Sequence, residues 1–101
     1  MLKLNEKTIE AYRQKINAQL KEMKAKMTML ESKAEQSTAD MRIKYQEKVD
    51  ELKPRFEEIE DSLKELSDSG EDAWEEIQAG LDQSVTELQT ALSNVTKQFN
   101  N

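Results

Sequence analysis

The chain has 101 residues, of which 36% are hydrophobic and 36% are charged, and its net charge is −6. An average globular domain is roughly 45–50% apolar and about 25% charged, so this composition suits long helices that each bury a narrow stripe better than it suits a broad core. The low counts of aromatic residues, two glycines and one proline disfavour a β-sheet. The length allows one domain, and the acidic balance excludes a typical nucleic-acid-binding protein.

The sequence contains no histidine and no cysteine. The commonest general base, the thiol nucleophile and the best zinc ligands are therefore missing. There is no glycine-rich phosphate loop, and the acidic run from Glu57 to Glu76 lacks the spacing of a calcium loop. We predict a non-enzymatic protein without cofactor or metal. The absence of cysteine, of an apolar span and of a signal peptide favours the cytoplasm.

In chain order, the first feature is a row of apolar residues that begins at residue 9 and has the heptad spacing of a coiled coil. This spacing predicts a helix that starts near residue 5. The row is one narrow stripe, and it includes Ile9, Ile16, Leu20, Met23, Met27, Leu30 and Ala34.

The stripe changes phase between Ala34 and Tyr45, where the spacing resembles an eleven-residue repeat. Residues 37–40 could act as a capping box that opens a new helix, but they contain no Gly or Pro and their flanks are good helix formers. We therefore favour one helix from about 5 to 66, with a three-helix bundle that turns near residue 37 as the alternative. Pro54 is expected to kink this helix and not to end it, because the apolar spacing continues past it.

A turn is predicted at residues 67–70. Gly70 suits the left-handed conformation that often ends a helix, and Ser69 suits the N-cap of the next helix. An apolar stripe resumes at Trp74 and predicts a helix over about 71–99. Because so short a connection usually makes helices antiparallel, the expected fold is all-α, with a long coiled-coil helix followed by a shorter antiparallel helix in a helical hairpin.

Several single residues in this pattern have a structural interpretation. Gly80 lies inside the last predicted helix, where it either admits a close backbone or is a tolerated weak point. Met29 lies beside the first stripe and is predicted to be a surplus exposed residue. The aromatic residues on the stripes are predicted to have core or interface roles, and these are Tyr12, Tyr45 and Trp74.

The two predicted helices differ in length. At 1.5 Å per residue the first would span ~93 Å and the second ~44 Å, so the second would reach back only to about Met41. The stripe over residues 9–38 would then be uncovered, and a lone helix of this kind is marginal in water. We predict a homo-oligomer, most simply an antiparallel dimer, whose interface comprises Ile9, Ile16, Leu20, Met23, Met27, Leu30 and Ala34.

The charge distribution favours the same arrangement. Residues 1–50 contain 11 Lys+Arg against 8 Asp+Glu, whereas residues 51–101 contain 4 against 13. Complementary fields of this kind favour antiparallel or staggered self-association.

Two stretches carry a resemblance to a known family. Residues 33–45 run from Lys-Ala-Glu-Gln to Met-Arg-Ile-Lys-Tyr, and residues 70–80 read Gly-Glu-Asp-Ala-Trp-Glu-Glu-Ile-Gln-Ala-Gly. With Phe99 near the end, the chain resembles a family of small bacterial coiled-coil proteins, including cyanobacterial ones, that are often described as stress-response proteins. The chain departs from that pattern at residues 37–38 and at Pro54. The resemblance implies a non-enzymatic, stress-associated role and no catalytic residues.

The sequence thus predicts a non-catalytic coiled-coil protein that acts through self-assembly or through an unidentified protein partner. The alternative is binding to a lipid surface by the N-terminal helix, because residues 1–33 carry eight Lys+Arg and four Glu beside an apolar stripe. That stripe is narrow and holds no Trp or Phe, so a membrane surface is the less favoured partner.

Overall fold

A computed structural model of the chain describes residues 6–68 and 71–99. Three helices account for nearly all of them: α1 (Glu6–Glu35), α2 (Ala39–Asp68) and α3 (Glu71–Phe99). These residues contain no strand, which confirms the predicted all-α class. None of the helices in this part of the chain has the length and apolar character needed to cross a membrane.

The continuous helix predicted over about 5–66 is wrong, because residues 36–38 interrupt it. The turn near residue 37 that the three-helix alternative required is present. At this point the Ser37 amide donates to the carbonyl of Ala34 at 3.1 Å, one residue short of the α-helical partner. The Ser37 hydroxyl donates to the Lys33 carbonyl at 2.8 Å, so the side chain takes over the bond that the amide has left.

Helix α2 begins with a side-chain cap. The Met41 amide donates to the hydroxyl of Thr38 at 3.2 Å, and the Arg42 amide donates to the Thr38 carbonyl at 3.1 Å. This is the hydrogen-bond pattern of an N-cap residue, and Asp40 in the first turn adds a favourable charge at the helix N-terminus. A new helix therefore begins within residues 37–40, as the capping-box interpretation expected, but the N-cap is Thr38 and not Ser37.

The break allows the apolar stripes of all three helices to meet. Each helix contacts both of the others, and together they form a body of 59 × 18 × 18 Å. Tyr12 near the start of α1 contacts Trp74 near the start of α3, so these two helices run parallel. Helix α2 runs antiparallel to both. The most deeply buried side chains come from all three helices: Ile16, Ile59, Leu66, Leu81, Leu88 and Leu92.

The stripe on α1 is not uncovered. Ile16, Leu20, Met23, Leu30 and Ala34 are buried in this shared core, and the two remaining members of the predicted interface pack against it. The physical reason is the break itself, because a helix of 30 residues can be covered along its length by two helices of 30 and 29 residues. The uncovered stripe from which the dimer interface was predicted, a set that also included Ile9 and Met27, is thus absent from the folded chain, and the dimer itself stays a prediction.

The remaining predictions concern Pro54, the last helix and the turn that precedes it. Pro54 lies inside α2, which continues to Asp68, so the proline does not end the helix. Helix α3 occupies the residues predicted for the last helix. Ser69 and Gly70, predicted to form the hairpin turn, lie outside the described residues.

Gly80 lies on the exposed surface of α3. A Cβ atom added at this position would meet nothing within 4 Å, so no neighbouring backbone uses the space that the glycine leaves. Of the two interpretations of Gly80, the tolerated weak point is the one that the structure supports.

We therefore expect Gly80→Ala to raise the free energy of unfolding by about 0.5–1 kcal/mol, the usual difference between these residues inside a helix. Urea denaturation followed by circular dichroism measures this change. Ala79→Gly is the matched control at the neighbouring exposed position and should lower stability by a similar amount. A Gly80→Ala variant that is less stable than the parent would contradict the expectation.

Candidate interaction surface

A hydrogen bond from a tyrosine hydroxyl links α1 to α3. Tyr12 is buried, and its hydroxyl donates to Oδ1 of Asp82 at 2.6 Å and lies 3.3 Å from the Gln78 carbonyl. Its ring meets that of Trp74 edge to face, with centroids 5.5 Å apart and planes at 75°. The hydrogen bond and the ring contact together fix the register of the two parallel helices.

A second tyrosine ties α2 to α1. The buried Tyr45 donates its hydroxyl to the Met27 carbonyl at 2.6 Å. On the same pair of helices, Lys24 and Glu60 form an exposed ion pair at 3.4 Å, which adds little stability. The core roles predicted for Tyr12, Tyr45 and Trp74 are confirmed.

Both phenols hold their protons more tightly than a free tyrosine does. Burial raises the pKa of Tyr12, and the hydrogen bond to Asp82 and the charge of that carboxylate raise it further. Burial also raises the pKa of Tyr45, followed by the nearby charges of Glu31 and Glu35. These shifts accompany hydrogen bonds that hold helices together, so we assign both tyrosines a structural role.

The raised pKa values of the two tyrosines predict a loss of stability in alkali. The unfolded tyrosines ionise near pH 10, whereas the folded ones have a raised pKa and ionise at higher pH. Their contribution to the free energy of unfolding is therefore present below about pH 10 and is lost as the pH rises above it. One retained proton changes the free energy of unfolding by about 1.4 kcal/mol per pH unit. Urea denaturation between pH 9 and 11.5 should therefore show a shallower decline for Tyr12→Phe than for the parent protein. Equal slopes would contradict the expectation, because lysine titration affects both proteins alike.

A groove of about 460 Å³ runs between α1 and α3. We call it the α1–α3 groove. Its floor consists of the buried side chains Met23, Leu30 and Leu92. Its rims are formed by Glu22, Lys26, Met29 and Lys33 on α1, and by Gln89, Ser93 and Thr96 on α3.

Met29 gives this groove an exposed apolar side chain. Met29 is 63% exposed, which confirms the prediction of an exposed methionine. The other large hydrophobic residue exposed in the described part of the chain is Ile43, at 59%, which lies on α2 and outside the groove. Only one of the two is therefore set in a concave surface where a partner could enclose it.

The fold also sorts the charges along its length. One half of the body contains residues 6–20, 54–68 and 71–85, with 13 Asp+Glu against 5 Lys+Arg. The other half contains 8 Asp+Glu against 9 Lys+Arg. The α1–α3 groove lies in this second, balanced half, so repulsion between two copies of the chain is weakest there.

The described residues contain no cluster of metal-ligating side chains. No group of His, Cys, Asp or Glu among the described residues has an arrangement that could hold a metal ion. Apart from Tyr12 and Tyr45, whose hydroxyls bond to neighbouring helices, no charged or polar residue in those ranges is buried. The geometry of the groove suits binding.

Sequence reasoning identified Met29 but missed its neighbours on the rim. These neighbours are Glu22, Lys26 and Lys33, and together with Met29 the four residues lie on one side of the apolar stripe at spacings of four, three and four. That pattern is a usable signal only once α3 has been placed beside α1.

No protein-family model, curated protein or solved structure matches this chain. Membership of the small bacterial coiled-coil family therefore stays a prediction from the resemblance alone.

Proposed function

We propose that the chain is a non-catalytic interaction protein that assembles with a second copy of itself through the α1–α3 groove. The observation that carries this proposal is the exposed Met29, which stands in a groove with an apolar floor, a charged rim on α1 and a neutral polar rim on α3. Interface cores are commonly built around such a side chain, with polar residues at the rim excluding water.

The rim of α1 is complementary to itself when reversed. Glu22, Lys26, Met29 and Lys33 are spaced by four, three and four residues, and this spacing is the same in both directions. When two copies of α1 meet antiparallel, Glu22 of each faces Lys33 of the other. Lys26 of each then faces Met29 of the other, and its aliphatic stem can cover the methionine. Charge and shape therefore both select a second copy as the occupant.

Long-range electrostatics favour the same orientation. An antiparallel pair centred on the groove places the two acidic halves at opposite ends of the dimer. A parallel pair would bring 13 Asp+Glu of each copy side by side. Like charges at such short separation repel, so the antiparallel pair is the stable one.

The lipid-surface alternative finds less support. It needs the apolar stripe of the N-terminal helix at the surface, whereas Ile16, Leu20 and Met23 are buried among the three helices. The proposed stress-associated role rests on the family resemblance alone. The groove supports only the proposal of self-assembly.

The first test replaces the apolar side chain. Met29→Glu should weaken self-association at least about tenfold, because it removes an apolar contact and puts two carboxylates into the interface. Ile43→Glu is the matched control, since it makes the same change at a residue of similar exposure outside the groove. Sedimentation equilibrium between 10 and 500 μM measures the dimer fraction. A parent chain that stays monomeric throughout this range, or an equal effect of both substitutions, would sink the proposal.

The second test reverses the charges. Glu22→Lys alone and Lys33→Glu alone each place like charges opposite one another, so each should weaken the dimer several-fold, with a larger effect at low salt. The double variant restores opposite charges in the reversed order and should recover most of the parental affinity. If the double variant loses as much dimerisation free energy as the two single variants lose together, the antiparallel register is excluded.

A further inference from the structure

The α1–α2 turn, residues 36–38, contains none of the features that force a helix to end. Residues 36–38 are Gln-Ser-Thr, with neither Gly nor Pro, and no described residue has a positive φ angle. The α-helical hydrogen bonds continue as far as the Gln36 amide, which donates to Ser32, and resume at Arg42. Only the five amides of residues 37–41 leave the helical pattern, so a small local change would make the helix continuous.

A continuous helix would keep both apolar stripes on one face. The stripe of α1 ends at Ala34 and that of α2 is buried again from Tyr45, eleven residues later. Eleven residues correspond to just over three helical turns, so the two stripes would be nearly aligned. A straight helix over residues 6–68 would present both apolar stripes on one face, with Thr38 and Met41 between them.

We propose that residues 36–38 are a hinge, and that opening it gives a domain-swapped dimer with a second copy of the chain. In this dimer α1 and α2 of each copy form one helix of ~94 Å, and α1 of each copy packs on α2 and α3 of the other. The proposal goes beyond assembly through the groove, because the surface exchanged is the core itself.

The swapped dimer retains the contacts of the closed chain. The bonds from Tyr12 to Asp82 and from Tyr45 to Met27 form again, the first between α1 and α3 and the second between α1 and α2, now across the two copies. Opening the hinge removes the Thr38 cap but lets five amides per chain rejoin the helix. The balance between the forms therefore depends on the hinge and on protein concentration, and not on the core.

Charge repulsion is low where the two long helices of the proposed dimer would cross. The two long helices would cross near residue 37, and residues 31–44 contain three Lys+Arg and three Asp+Glu. The acidic half of each lobe would lie at the far tip of the dimer, as far apart as the molecule allows. Repulsion is therefore low at the crossing and low between the lobes.

Two changes at the hinge should move the equilibrium in opposite directions. Ser37→Ala with Thr38→Ala removes the capping side chains and raises helix propensity, which should favour opening about fivefold per chain and tighten the dimer about 25-fold. Inserting two glycines between residues 37 and 38 relaxes the turn and lowers helix propensity, so this variant should stay closed. Neither change touches the groove.

Spin labels distinguish a swapped dimer from any other dimer. Labels at Lys21→Cys and Lys53→Cys lie on neighbouring helices, with backbones roughly 10–15 Å apart in the closed chain. In the continuous helix the same two labels are ~48 Å apart within one chain. Diluting labelled chains with excess unlabelled chains before refolding removes the short distance only when that distance is between two copies.

We expect the Ser37→Ala, Thr38→Ala variant to form a dimer at high concentration. When its labelled chains are diluted with unlabelled chains, the distance of roughly 10–15 Å between the two labels should be replaced by the distance of ~48 Å. Met29→Glu in this background should leave that dimer intact, because the core and not the groove holds it. A variant that remains monomeric up to 500 μM, or a dimer that keeps its short distance on dilution, would overturn the hinge proposal. Loss of the dimer on Met29→Glu would assign it to the groove instead.

Discussion

The structure depends on three narrow apolar stripes that must share one core. Each helix is polar around most of its circumference, and each buries only the residues at heptad spacing. One such helix is marginal in water, so stability comes from mutual burial. Helices of 30, 30 and 29 residues can cover one another from end to end. The matched lengths explain why α1 needs no second chain to cover its stripe.

The same constraint explains where sequence reasoning succeeded and where it failed. The stripe residues, the position of α3 and the exposure of Met29 follow from local periodicity, which is strong in this chain. The break at residues 36–38 does not. Helix propensity differs by less than about 0.7 kcal/mol per ordinary residue, and an N-cap is worth about 1 kcal/mol, so local preference there is nearly balanced. Packing the whole stripe of α1 against two helices outweighs such differences.

The candidate surface was harder to foresee because its parts are distant in sequence. Tyr12 and Asp82 are 70 residues apart, yet their hydrogen bond helps to set α3 beside α1 and so forms the groove. Met29 could be identified as exposed from its place beside the stripe, whereas Lys26 and Lys33 are ordinary surface lysines until α3 is present. Periodicity reports which face of a helix is buried. It does not report which neighbour borders that face.

The residues that obscured the turn in the sequence also suit it to the proposed hinge. A turn made of strong signals, such as Gly or Pro, would have been evident in the sequence and would also resist becoming helical. Ser37 and Thr38 instead stabilise the turn through side-chain hydrogen bonds that a helix can do without. Under the hinge proposal, such a turn defines the closed fold only while the core of the same chain is the nearest partner for α1. At high concentration the core of another copy would compete on equal terms, because the proposed swap reproduces the same contacts. The uneven charge distribution would act on both proposed dimers in the same way, since only antiparallel arrangements keep the acidic halves apart.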